Sequence, residues 1–214
     1  MGSGLESPCH GVLEEIIVAT KNILETWGIT VDDLSRAILE NGSLRGMVFG
    51  YVAAIKLRGL LEAHPEVDFI TKDDDHDRKN KADLRIRYRG QEFRLESKSL
   101  QTNSIRQLPD GSWTGKAQID GSDRRTVKFD DGTSLETTLL RPGDFDVLAV
   151  NCFAFEQEWF WAFASNRDLP LSSYAKYTPE QRQGLIASLV TVTKPVGGIF
   201  RDDLFALLDS MLER

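Results

Sequence analysis

Cysteine is nearly absent from this chain. Only Cys9 and Cys152 occur among its 214 residues, one near the start and one inside an apolar run, which argues against a disulfide framework and for reduced, structural thiols. Histidine is almost as sparse: His10, His64 and His76 have no HxxxH or CxxC companion spacing, so a dedicated zinc site is not expected. Long apolar runs are missing too. The longest uncharged stretches, such as Val147 to Phe155 and Gly184 to Thr193, fall far short of the roughly 18 apolar residues a membrane span requires. The start, MGSGLESPCHG, lacks a basic region followed by an apolar segment, so no secretory signal is read and a cytoplasmic protein is expected. Positive charge is also in deficit: 26 Lys and Arg stand against 33 Asp and Glu, a net −7. That balance argues against non-specific coating of nucleic acid.

What is present describes a folded chain. Hydrophobic residues make up 41% and charged residues 28%, close to ordinary globular usage, and the length suits a single domain over residues 1–214. The charge is uneven. Lys72 to Lys128 holds 14 Lys and Arg against 10 Asp and Glu, leaving 12 against 23 elsewhere, so the middle of the chain is the face expected to meet a polyanion.

Apolar spacing predicts N-terminal helices over residues 12–63. The first runs from Val12 to Trp27. The second is capped by Asp32 or Asp33 and stopped by a left-handed Asn41-Gly42. The third starts near Ser43, with Leu44, Met47, Val48, Tyr51, Ile55 and Leu61 mostly facing the core and Gly46 and Gly50 permitting close approach of another element. A short strand from Val67 and a polar KDDDHDRKNK loop follow. Ala82 to Tyr88 and Glu92 to Leu100 then alternate as two strands around a tight turn at Arg89-Gly90. Gln101 to Leu139 is read as a long, weakly patterned segment with turn signals at Pro109 to Gly111 and Asp130 to Thr133. FDVLAVNCFAF and WFWAFA read as buried strands, and two helices, about Pro179 to Val190 and Asp202 to Leu212, are expected to close the chain at about 179–213. The fold class expected is α/β or α+β, a mixed central β-sheet flanked by helices.

The hairpin carries the chemistry. With Arg89-Gly90 as a two-residue loop, opposed residues have numbers summing to 179, so Leu84 faces Leu95, Ile86 faces Phe93 and Asp83 faces Glu96. Directly opposed like charges are destabilising, and Lys98 emerges on the same face. A divalent cation would compensate the two carboxylates: Asp83, Glu96 and a backbone carbonyl such as that of Ser97 suit Mg²⁺, with Mn²⁺ as a substitute. Such a metal site beside Lys98 is suited to phosphodiester hydrolysis. The acidic run Asp73, Asp74, Asp75 and Asp77 lacks the glycine and terminal glutamate of an EF-hand loop and is read as a solvated loop.

Asp83, a twelve-residue spacer and Glu96-Ser97-Lys98 resemble the D…(D/E)xK signature of the PD-(D/E)xK nuclease superfamily, which includes many type II restriction endonucleases. KADLRI…LESKS and GDFDVLAVN…NRDLP are similar in wording to restriction-endonuclease sequences. The resemblance covers about Ser43 to Leu169 and implies an α-β-β-β-α-β catalytic core at about 43–169. It makes Asp83 and Glu96 metal ligands, Lys98 the catalytic lysine and bacterial defence the role. A homodimer acting on double-stranded DNA, with a cognate methyltransferase, is implied as well. The sequence departs from the signature at Ala82, where proline is usual, and at Ala53 and Ala54, where many members place a helix glutamate; Glu62 is the acid within that helix. For DNA contact the middle segment offers Asn103, Arg106, Lys116, Gln118, Arg124, Arg125 and Lys128. Two other functions compete: a nuclease of the same fold acting on branched, modified or damaged DNA, and a DNA-binding module without turnover.

Overall fold

A computed structural model describes residues 22–71 and 83–213. The chain divides into two compact units, residues 1–46 and 47–214. Most of the helix expected over Val12 to Trp27, the KDDDHDRKNK loop after Thr71, and Ala82 lie outside the described residues.

In the first unit, α1 (Ile23–Trp27) is closed at both ends. Asn22 and Glu25 form a capping box, and Gly28 at φ 64° ends the helix in the left-handed region. Thr30, not Asp32 or Asp33, caps α2 (Val31–Glu40): its hydroxyl accepts the Asp33 N–H while the Asp33 carboxylate reaches back to the Thr30 backbone. The expected left-handed stop at Asn41-Gly42 does not form. Asn41 is extended at φ −117°, and Gly42 opens α3 (Gly42–Glu62), which runs on into the second unit.

Within the second unit α3 buries Ala53, Leu57 and Leu61, a stripe spaced by four, while Met47, Tyr51 and Ile55 are exposed. The expected core face is thus corrected. A helix apolar on several sides does not declare which side is inward. Side chains at Gly46 or Gly50 would meet nothing within 4 Å, so among the described residues no element makes the close approach those glycines permit.

Ten strands follow among the described residues: β1 (Val67–Thr71), β2 (Leu84–Tyr88), β3 (Gln91–Ser99), β4 (Arg106–Gln107), β5 (Trp113–Gln118), β6 (Asp120–Lys128), β7 (Ser134–Leu139), β8 (Val147–Asn151), β9 (Trp161–Ser165) and β10 (Leu189–Lys194). Two further helices are α4 (Pro179–Gln183), before β10, and α5 (Leu204–Leu212), which Asp203 caps. The central sheet has the order β1-β2-β3-β8-β9; β3 and β8 run parallel and the other pairs antiparallel. The architecture is mixed α+β around a mixed sheet.

Alternation sorts this sheet into two faces. Leu84, Ile86, Tyr88, Phe93, Leu95, Val147 and Ala149 pack with Leu57 and Leu61 of α3 and Leu204, Leu207 and Leu208 of α5. Leu148, Val150, Ala162 and Ala164 face a second core shared with Leu100, Ala117, Ile119, Val190 and Val192. That second core is roofed by a smaller sheet, β10-β5-β4, while β6 and β7 form a separate hairpin. Among the described residues no helix is long and apolar enough to cross a membrane.

Three expectations are corrected. Gln101 to Leu139, read as weakly patterned, holds the 3-10 turn Thr102–Ser104 and β4 to β7. Pro179 to Val190 is a helix only to Gln183, because Val190, Thr191, Val192 and Thr193 are β-branched and alternate in burial. The α-β-β-β-α-β order is not reproduced: between β3 and β9 there is no α-helix, and β8 and β9 pair directly.

Candidate active site

The turn fixes the register of the site. Arg89 (φ 49°) and Gly90 (φ 77°) are both left-handed, as a type I′ hairpin turn requires. Leu84 therefore opposes Leu95, Arg85 Arg94, Ile86 Phe93, Arg87 Glu92 and Tyr88 Gln91. Asp83 stands just before the first paired residue of β2, and its Oδ2 accepts the Ser97 N–H at 2.7 Å. A strand residue's N–H and C=O point to the same neighbouring strand, so the Ser97 carbonyl also leaves β3 on the Asp83 side.

Glu96 and Lys98 share one face of β3, the face of their partners Leu148 and Val150. The Glu96 carboxylate is buried, with only 3% of the residue exposed. Its Oε1 lies 2.7 Å from Lys98 Nζ, while Oε2 has no hydrogen-bond partner among the described residues. Burial first, then the charges of Asp83 and Asp144, push the Glu96 carboxyl up to about 7 against the opposing pull of Lys98. Burial works against the Lys98 charge, but Glu96, Asp83 and Asp120 outweigh it and hold that ammonium above the ordinary lysine value. The structure therefore brings Asp83, Ser97, Glu96 and Lys98 together on one end of the hairpin.

Beside them lie Gln118, expected only at a DNA contact, and three residues that sequence reasoning passed over, Gln101, Asp120 and Thr138. Gln101 Nε2 donates to Gln118 Oε1 at 2.9 Å, Gln118 Nε2 to Asp120 Oδ2 at 3.0 Å, and Thr138 Oγ1 to the same oxygen at 3.3 Å. Asp120 Oδ1 is buried without a partner among the described residues. No spacing signal marks Asp120, because its position depends on the folding of β6 against β7. The helix acid is missing as expected: Ala53 is buried, and Glu62 is exposed and paired with Arg58 at 2.7 Å.

Magnesium is the ion implied by the signature, and the oxygen set fits it in kind. An orphaned, buried carboxylate oxygen on Glu96 is costly unless something charged or hydrogen-bonding meets it, and Asp83 and the Ser97 carbonyl add hard oxygen donors beside it. The fit is economical in acids. Among the described residues no group of three or more His, Cys, Asp or Glu is placed to hold a metal.

The basic residues expected to meet DNA are distributed over several elements. Asn103 is exposed in the 3-10 turn, Arg106 on β4, Lys116 and Gln118 on β5, and Arg124 and Lys128 on β6. Arg125 is held instead within the fold: its guanidinium pairs with Asp144 and donates to the Leu139 carbonyl.

The chain matches no protein-family model and no curated protein. Among solved structures, a bacterial homing endonuclease aligns over 64% of this chain and 84% of its own, at 17% identity and a TM-score of 0.32. A likeness that loose bears on neither activity nor substrate.

Proposed function

We propose that this chain is a metal-dependent DNA endonuclease of the PD-(D/E)xK kind. One observation carries the reading: two carboxylates and an ammonium converge on one end of a hairpin, and the buried Glu96 keeps one oxygen unpartnered among the described residues. A merely structural ion pair would gain nothing from that vacant oxygen, whereas a cation site needs it.

Asp83, Glu96 and the Ser97 carbonyl would hold Mg²⁺, or Mn²⁺ in its place; the bound ion would supply Lewis-acid stabilisation of charge on the phosphoryl oxygens. The residues themselves do the rest. Ser97 N–H fixes the Asp83 carboxylate through Oδ2. Lys98, kept charged by its acidic neighbours, serves as a fixed donor toward a phosphate oxygen or an attacking water. Its side chain is 21% exposed, against 4% for Glu96, and Asp83 is exposed, so the reading has a phosphate approach from the Asp83 and Lys98 side.

The biological setting this reading carries is a cytoplasmic type II restriction enzyme, working as a homodimer on double-stranded DNA with a cognate methyltransferase. It rests on the resemblance of the motif. A second reading, a DNA-binding module without turnover, draws on the absence of a third acid at Ala53 or Ala54. Incubation of plasmid, methylated and junction DNA with the protein and Mg²⁺ or Mn²⁺ separates them: cutting supports the enzyme, and binding without cutting on every substrate supports the module.

A further inference from the structure

The three strands β4, β5 and β10 contain no aspartate or glutamate, in a chain with a net charge of −7. Alternation divides their residues. Gly115, Ala117, Val190 and Val192 are buried beneath the sheet. Directly paired residues share a face, so the pairs Lys116 with Thr191, Gln118 with Leu189 and Arg106 with Thr114 define the outer face. Arg106, Lys116, Gln118, Leu189 and Thr191 are all exposed there. Arg106 and Lys116 make no ion pair among the described residues, unlike Arg87, Arg89, Arg94 and Arg125. A cationic, hydrogen-bonding sheet face whose strands carry no acids, bordered by Asp120 with one carboxylate oxygen taken up by Gln118 and Thr138, is complementary to a polyanion.

This face also adjoins the candidate active site. Gln101, three residues beyond Lys98, donates its backbone N–H to the Lys116 carbonyl at 2.8 Å and its side-chain amide to Gln118. Gln118 is thereby braced between Gln101 and Asp120, with one N–H and one lone pair left over. Those are the two groups needed to bond adenine N7 and N6, and an apolar side chain beside them suits the thymine methyl. Leu189, 42% exposed, is the direct cross-strand partner of Gln118.

We propose that the outer face of β5 and β10 lies in the major groove of double-stranded DNA, with Gln118 and Leu189 reading one A·T base pair and Lys116 and Arg106 holding phosphates. The substrate class rests on the nuclease reading; the recognition element does not appear in it. The dimensions agree: six paired residues at about 3.4 Å each extend about 20 Å, and strands about 4.8 Å apart make a ribbon that a groove about 12 Å wide admits.

The test is selection from a random-sequence duplex library without divalent metal, using wild type, Gln118→Ala, Leu189→Ser and Lys116→Ala, each checked for an unchanged thermal melt. Wild type is expected to require A·T at one position. Gln118→Ala and Leu189→Ser should relax that position, Gln118→Ala by about ten- to a hundredfold. Lys116→Ala should weaken all sequences alike and reduce the salt slope by about 1. Absence of duplex binding by wild type, or preferences and slopes unchanged in folded variants, overturns the proposal. Cleavage is scored separately: face-dependent binding without metal-dependent cutting would sink the nuclease reading alone, and cutting indifferent to these substitutions would sink the recognition face alone.

Discussion

The backbone N–H of Ser97 donates to Asp83 Oδ2 at 2.7 Å, tying the acid before β2 to the middle residue of the Glu-Ser-Lys strand. Asp83→Asn keeps an acceptor for that bond, whereas Asp83→Ala leaves the N–H to water. Asp83→Asn is therefore expected to fold with wild-type stability and lose cutting, while Asp83→Ala also loses about 1 kcal/mol of stability. Denaturant melts beside a nicking assay separate the two effects.

Glu96 gives the fold a pH dependence of definite sign. Its folded pKa of about 7 lies above the ordinary glutamate value of 4.5, so the folded state binds the proton more tightly than the unfolded chain. The associated stability is complete below about pH 4.5 and is lost as pH rises through 7. In metal-free buffer, wild type should lose on the order of 3 kcal/mol relative to Glu96→Gln across that window. A difference between the two proteins that does not change with pH would show that Glu96 ionises freely.

Added Mg²⁺ should reverse that loss. A ligand that binds only the folded state stabilises it by roughly 2.7 kcal/mol at about one hundred times its Kd. Wild type at pH 8 should show a rising Tm with Mg²⁺ concentration, and Glu96→Gln and Asp83→Asn should not. Below pH 7 metal uptake should release a proton, measurable by calorimetry in buffers of different ionisation enthalpy.

The hairpin and its register were legible in the sequence because they depend on local rules: alternation, and a turn at Arg89-Gly90 whose two positive φ values select one loop length. FDVLAVN and WFWAFA were legible as β8 and β9 because short uninterrupted apolar runs mark strands buried on both faces. The region from Gln101 to Leu139 was not. β5 and β10 pair across more than 70 residues, so neither strand's partner is visible in its own stretch of sequence. Leu189 and Val190, read as the end of a helix, belong instead to β10, which the pairing with β5 fixes as a strand. Gln118 was legible as a DNA-contact candidate but not as a neighbour of Lys98, since its place depends on the distant β5–β10 pairing, and Asp120 was not legible at all, since its place depends on β6 folding against β7.

Gly115 offers a check on how β5 is seated. A Cβ there would lie 2.7 Å from Ile105 Cδ1 and 3.1 Å from Phe155 Cε1, closer than side chains pack. Gly115→Val should destabilise the protein by about 1–3 kcal/mol, read from the denaturation midpoint. Wild-type stability in this variant would mean that β5 does not lie against Phe155.

The most direct measurement compares wild type with Lys98→Ala on duplex DNA in Mg²⁺, with binding and strand breaks followed in the same samples. Lys98 sits 2.7 Å from Glu96 and is the one cation of the constellation. The account predicts metal-dependent breaks by wild type, at least a hundredfold fewer by Lys98→Ala, in keeping with the roughly 10²–10³-fold effect of losing one stabilising donor, and DNA binding retained by both. Equal cutting by the two proteins, or none by wild type with Mg²⁺ or Mn²⁺ on any duplex it binds, would contradict it.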